Sequence, residues 1–259
     1  METRQTPEKR ILPRGIYLLP NLFTTAALFS GFYAVVAAMK GNFDIAAIAV
    51  FIAMIADTLD GRVARMTNTQ TAFGAEYDSL SDMVAFGVAP ALMIYSWSLA
   101  HLGKLGWMAA FLYAAATALR LARFNTQSHD ADKRYFQGLP CPAAAGVIAG
   151  SVWLGSTWSI QGILIAIPIS VLTVFAAALM VSTIRYHSFK KIDLKGRVPF
   201  FVLLLPVLII AAIAADPPPM LFAIFFCYAI SGPLLTLLEL RKMRDKHSSR
   251  LKMRNLKKP

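Results

Sequence analysis

Long apolar runs recurring between short charged clusters constrain this chain more than any other feature. A helix that crosses a bilayer needs about 20 largely apolar residues. Such runs lie near residues 16–39, 43–65, 74–100, 105–124, 141–158, 161–184, 198–215 and 219–240. The pattern predicts an all-α integral membrane protein with about eight transmembrane helices. Composition agrees, since only 15% of residues are charged, against about 25% in an ordinary soluble domain.

Charge placement then gives an orientation. If the N-terminal segment, alternate connections and the C-terminal tail share one side, that side holds 24 of the 26 Lys and Arg residues. The other side keeps only Lys40 and Lys104. The positive-inside rule therefore predicts that both termini are cytoplasmic, which also requires an even number of spans. The net charge of +12 does not point to nucleic acid. The basic residues mark the ends of apolar segments and build no single basic face. The tail from Arg241 to Lys258 is expected to lie against anionic membrane lipids. The two cysteines, Cys141 and Cys227, have no metal-ligand spacing and predict no disulfide framework. Residues 1–15 are polar and basic, and the run after them is too long for the core of a cleaved signal, so a retained first span is expected.

The acidic residues carry the chemistry. Four of the chain's 14 acids, Asp57, Asp60, Asp78 and Asp82, fall at the cytoplasmic ends of the second and third spans. Residues three or four apart share a helix face, so Asp57 pairs with Asp60 and Asp78 with Asp82. The short connection from Met66 to Phe73 predicts antiparallel neighbouring helices whose acidic faces meet. Four converging carboxylates repel unless cations sit among them, and ionisable groups within spans usually serve function. An all-oxygen set without His or Cys favours Mg²⁺ or Mn²⁺ over zinc. Gly61, Ala64 and Gly74 either pack helices closely or let a ligand approach the backbone. Arg65 suits a carboxylate or phosphate partner, or serves as a topology charge. Glu76 points about 160° away from Asp78 on an ideal helix and is expected to be peripheral.

This stretch resembles the motif of the CDP-alcohol phosphotransferase family, D-x2-D-G-x2-A-R-x8-G-x3-D-x3-D. Every fixed position and gap is matched from Asp57 to Asp82. The resemblance implies a core of six helices over about residues 16–184, followed by two extra C-terminal helices. It further implies a two-metal site that transfers a phosphatidyl group from a CDP-linked lipid to an alcohol, releasing CMP. On that basis Asp57, Asp60, Asp78 and Asp82 are expected metal ligands, and Asp82 also the general base. Gly61, Arg65 and Gly74 fall where the family holds cytidine and pyrophosphate. Asn21 and Thr24, within Pro20-Asn21 and Thr24-Thr25, also resemble a nucleotide-contacting pattern, although such side chains can equally bond a neighbouring helix.

Three further stretches look like phosphatidylserine synthases of the CDP-diacylglycerol type: Ala118 to Asn125, Phe136 to Gly146, and Met180 to Lys190. This resemblance implies CDP-diacylglycerol and L-serine as substrates. Arg120 and Arg123 share a helix face, where a guanidinium suits a serine carboxylate or a lipid phosphate, and Asn125 adds an amide. These three are the expected serine-binding residues. Glycerol 3-phosphate and an inositol phosphate are alternative acceptors that would need a denser basic pocket. A cation transporter is the alternative from a different class, because acids within spans also suit an ion path. The expected division is a basic N-terminal segment over 1–15, a catalytic membrane core over 16–184, a loop with two extra helices over 185–240, and a basic tail over 241–259. A homodimer in a bacterial cytoplasmic membrane, with the active site on the cytoplasmic side, completes the expectation.

Overall fold

A computed structural model describes residues 18–67, 69, 71–127, 135–187 and 200–256. The basic segment expected over 1–15 therefore lies outside the described residues. The helices are α1 (Leu18–Met39), α2 (Phe43–Thr67), α3 (Ala72–Asp82), α4 (Ala89–Trp97), α5 (Lys104–Gln127), α6 (Cys141–Thr157), α7 (Ala166–Val181), α8 (Phe200–Ala215) and α9 (Pro217–Leu256). A π-helical turn, Met83–Val88, joins α3 to α4 into one rod.

Among the described residues, five helical segments are long and apolar enough to cross a membrane: Pro20–Met39, Ala72–Trp97, Lys104–Thr126, Gly162–Val181 and Pro217–Leu238. With the family reported below, they mark an integral membrane protein. The helix over Cys141–Thr157 is apolar but shorter, and α2 carries Asp57, Asp60, Arg62 and Arg65 near its end. Two details depart from the expected pattern. A two-stranded antiparallel ribbon pairs β1 (Tyr135–Gln137) with β2 (Arg185–His187). The C-terminal helix also runs on to Leu256, so the expected tail begins inside α9.

Small residues set the packing. α1 and α2 form a hairpin whose contact is a stripe of alanines, Ala34, Ala37 and Ala38 against Ala46, Ala47, Ala49 and Ala53, all buried. With no hydrophobic force between helices in lipid, such stripes let backbones approach and gain dispersion contact. Helix α6 is the central post, buried continuously from Ala143 to Val152, and it packs on α2, α4 and α9. Its Gly146 faces the Phe225 ring and its Gly150 the Phe222 backbone, with gaps that no side chain could enter. Helix α9 is thereby locked onto the core, whereas α8 packs mainly on α9.

The acidic ends of α2 and α3 meet, as the short connection predicts, with α1 packed along both helices. The two helices otherwise share little direct contact, and each rests on α1. A cleft between α2 and α3 results, with the acidic residues on its walls.

Candidate active site

The four acids converge as their spacing requires. Asp57, Asp60 and Asp78 each present a carboxylate oxygen, and the three oxygens lie within 4.8 Å of one another. Asp82 stands outside that trio but is in side-chain contact with Asp57, as Asp78 is with Asp60. Among the described residues, no Lys, Arg or His forms an ion pair with any of the four.

Helix α1 fixes this geometry. The Thr24 hydroxyl, 4% exposed, donates to Asp60 Oδ2 at 2.7 Å and also contacts the Pro20 carbonyl at 3.2 Å. On the other wall, Ser81 Oγ donates to the Thr24 carbonyl at 3.0 Å. One residue of α1 therefore ties α2 to α3 across the cleft. A neighbouring tie joins Thr25 Oγ1 and the Tyr77 hydroxyl at 3.0 Å. Thr24, expected to contact either the nucleotide or a neighbouring helix, bonds Asp60 of α2.

The expected CDP-lipid residues fall into three environments. Gly61 borders open space, with nothing within 4 Å of where a side chain would begin. Gly74 lies under Asn21, whose Oδ1 is 3.5 Å from the same point on Gly74, so Asn21 and Gly74 share one wall. Thr71 caps α3 by accepting from the Gly74 N–H at 2.9 Å. This T-x-x-G start is a helix-entry pattern that capping rules make legible. Arg65 is exposed, and its Nε donates to the Gly61 carbonyl at 2.7 Å. It curls back along its own helix to Gly61.

The expected acceptor residues all come from α5, which runs antiparallel to α3 and α4. Tyr113 bonds Phe86 and Asn125 bonds Ser79, so Arg120 falls at about the height of Asp82. Arg120 Nη1 donates to Cys141 Sγ at 3.3 Å, and its buried Nε has no partner among the described residues. Arg123 is held by Gln137 Oε1 and by the Val181 carbonyl, the latter at 3.5 Å. That carbonyl closes α7, where a cation is favoured by the helix dipole. Asn125 Nδ2 reaches Ser79 Oγ at 3.1 Å and Glu76 Oε2 at 3.4 Å. Glu76 is peripheral to the acids, as expected, yet it touches a residue assigned to the acceptor. Ser79, Ser81, Tyr77 and Gln137 were not singled out as site residues. Each acts through a partner at least 14 residues away, which no local pattern encodes.

The ribbon depends on Gly138. Its φ of +76° lies where side chains are strained, and a side chain there would also begin 2.3 Å from the Met180 carbonyl. Gly138 N bonds the Ile184 carbonyl at 2.9 Å and Leu139 N that of Leu179 at 3.0 Å. The segment carrying Gln137 is thus stitched to the end of α7.

The donor set fits a small hard cation. Carboxylate oxygens on one Mg²⁺, each at about 2.0–2.1 Å, stand roughly 3–4 Å apart. The three oxygens, all within 4.8 Å of one another, lie close to that spacing. Asp60 is buried and the other three acids are partly buried, and a bound cation would balance their converging charge.

Comparison with known proteins supplies the family. Residues 17–184 match the model of the CDP-alcohol phosphatidyltransferase family. A protein of Helicobacter pylori named CDP-diacylglycerol–serine O-phosphatidyltransferase is 40% identical over 191 residues, covering 73% of this chain and 79% of that protein. A Mycobacterium tuberculosis protein of the same name is 37% identical over 164 residues, 58% of this chain and 57% of its own length. An archaetidylserine synthase of Methanothermobacter thermautotrophicus is 34% identical over 170 residues, 65% of this chain and 69% of its own. The membrane helices, the acidic cleft and these matches lead to one conclusion: the chain is an enzyme belonging to the CDP-alcohol phosphatidyltransferase family.

Proposed function

We propose that this enzyme transfers the phosphatidyl group of CDP-diacylglycerol to the hydroxyl of L-serine, giving phosphatidylserine and CMP. The observation that carries the chemistry is the trio of carboxylate oxygens within 4.8 Å, with Asp82 against Asp57. The acceptor is supported by the relatives: those reported above are named for serine transfer, although one is named for a different lipid product.

Asp57, Asp60 and Asp78 would hold divalent metal, Mg²⁺ or Mn²⁺, with Asp82 completing a two-metal set through its contact with Asp57. Such ions, when bound, neutralise the pyrophosphate and favour departure of CMP. The chain's own groups do the rest. Gly61 and the wall of Gly74 and Asn21 give the nucleotide room against the backbone. Asp82 accepts the proton of the serine hydroxyl as its oxygen attacks the phosphorus that carries diacylglycerol. The bond from that phosphorus to the bridging oxygen breaks, and CMP leaves with the electron pair. Arg120, whose Nε at the height of Asp82 has no partner among the described residues, is the group best disposed for the serine carboxylate. Arg123 and Asn125 complete that wall from positions held by Gln137 and Ser79.

Eight membrane crossings follow if the shorter apolar helix over 141–157, α2 and α8 cross together with the five longer ones. Both termini and the cleft then face the cytoplasm of a bacterial cell. The catalytic core would occupy residues 16–184, with the helices after it acting as support. Purified protein supplied with CDP-diacylglycerol and labelled L-serine, glycerol 3-phosphate or an inositol phosphate tests the acceptor. Label in lipid from serine alone is expected. Labelled lipid from glycerol 3-phosphate and none from serine would overturn the acceptor assignment.

A further inference from the structure

The π turn next to Asp82 has a readable origin. In an α-helix the N–H of residue 90 would donate to the carbonyl of residue 86, but residue 90 is Pro, which has no N–H and crowds that carbonyl. The rod opens there into the π turn Met83–Val88, and Ala89 N bonds the Val84 carbonyl five residues back. Phe86 is fully buried within the membrane-crossing segment Ala72–Trp97. A backbone carbonyl at such a place must find a donor inside the protein.

Tyr113 of α5 supplies it. Its side chain is fully buried, and its hydroxyl donates to the Phe86 carbonyl at 3.0 Å. The turn is clamped on two further sides. Thr117 Cγ2 stands 3.1 Å from where a Gly87 side chain would begin, and Gly31 of α1 lets the Ala85 backbone come within 2.6 Å of the equivalent point. The turn starts at the residue after Asp82. One extra residue in a turn rotates one half of a helix against the other by about 100°. Buried Met93, Ile94 and Trp97 fix α4 in the core. The direction of Asp82 therefore depends on the turn staying open.

We propose that Tyr113 is a positioning residue for transfer: by holding the Phe86 carbonyl it keeps the π turn open and aims Asp82 at Asp57. This rests on the reading of Asp82 as the base. Tyr113→Phe removes one oxygen and keeps the ring. Its kcat should fall at least tenfold, with KM for CDP-diacylglycerol and for serine both within twofold of wild type. Leu112→Ala, beside Tyr113 but on the exposed face of the same helix, should keep kcat within twofold. The double variant Tyr113→Phe, Pro90→Ala carries the test further, and also serves if the single variant folds poorly. A restored N–H at residue 90 gives the Phe86 carbonyl its own helical donor and closes the turn. Thermal stability should recover to wild type while kcat stays low. Wild-type kcat in Tyr113→Phe, or kcat recovering together with stability in the double variant, would overturn the positioning role. Asp82→Asn measured alongside separates the two claims. Full activity there refutes the base and this inference with it, whereas an inactive Asp82→Asn beside a fully active Tyr113→Phe refutes the positioning role alone.

Discussion

Thr24 Oγ1 donates to Asp60 Oδ2 at 2.7 Å, while the carbonyl of the same Thr24 accepts from Ser81. Through this residue α1 sets the width of the acidic cleft, since α2 and α3 barely touch. A hydrogen bond to a charged group contributes about 1.5–3 kcal/mol, which corresponds to roughly tenfold or more in an equilibrium. Thr24→Val should therefore raise the divalent-cation concentration for half-maximal activity by about tenfold, and Thr24→Ser should stay near wild type. A titration of activity against Mg²⁺ and Mn²⁺ checks this. A raised KM for CDP-diacylglycerol at unchanged metal requirement would return Thr24 to the nucleotide.

Asp82 lies outside the carboxylate trio, in contact with Asp57, and is the proposed base. Asp82→Asn should lower turnover by about 10²–10⁴-fold, the usual contribution of a positioned base, with binding of CDP-diacylglycerol largely kept. Equilibrium binding of the donor beside single-turnover rates distinguishes this from general collapse of the site. Wild-type turnover in the variant would remove Asp82 as the base.

The two arginines of α5 should behave differently. Arg120 has a buried Nε without a partner among the described residues, whereas Arg123 is tied to Gln137 and to the end of α7. Arg120→Ala should raise KM for serine much more than KM for the donor, with little change in melting temperature. Arg123→Ala should raise KM for serine and also lower the melting temperature, because it releases the ribbon. Steady-state kinetics with each substrate varied, beside thermal unfolding, reads both. Equal effects of Arg120→Ala on the two KM values would make it a donor contact.

Much of the site was legible because helical periodicity is local. The three- and four-residue gaps among Asp57, Asp60, Asp78 and Asp82 required shared faces, and the trio formed. The apolar runs likewise anticipated the helical rods, since each run exceeds any short loop or strand. What escaped was tertiary. Thr24 lies 36 residues from Asp60 and Ser81 57 residues from Thr24, and only the wedging of α1 joins them. The ribbon uses two three-residue strands, too short to stand out beside apolar helices. The run over 74–100 was read as one uninterrupted span, so the π turn before Pro90 was missed, and the donor that answers it, Tyr113, lies 27 residues beyond Phe86.

The C-terminal helices had no role readable from sequence, and the packing of α9 supplies one. A Gly146 side chain would begin 2.5 Å from the Phe225 ring, closer than real contacts allow. Overpacking of this kind costs about 1–3 kcal/mol or more. Gly146→Leu should lower the melting temperature, and adding Phe225→Ala should restore much of it. Thermal unfolding of both variants in one detergent decides. An unchanged melting temperature in Gly146→Leu would mean that α9 is not seated on α6.

The central claim is that the carboxylate trio and Asp82 carry metal-dependent transfer from a CDP-linked lipid. Its most direct test is CMP release from CDP-diacylglycerol by the purified enzyme, with and without L-serine, across a titration of divalent cation. CMP should appear only with serine and cation together, stop on chelation, and be lost in Asp57→Asn and Asp78→Asn. CMP release that persists in chelator, or none with any alcohol at any cation concentration, would contradict it.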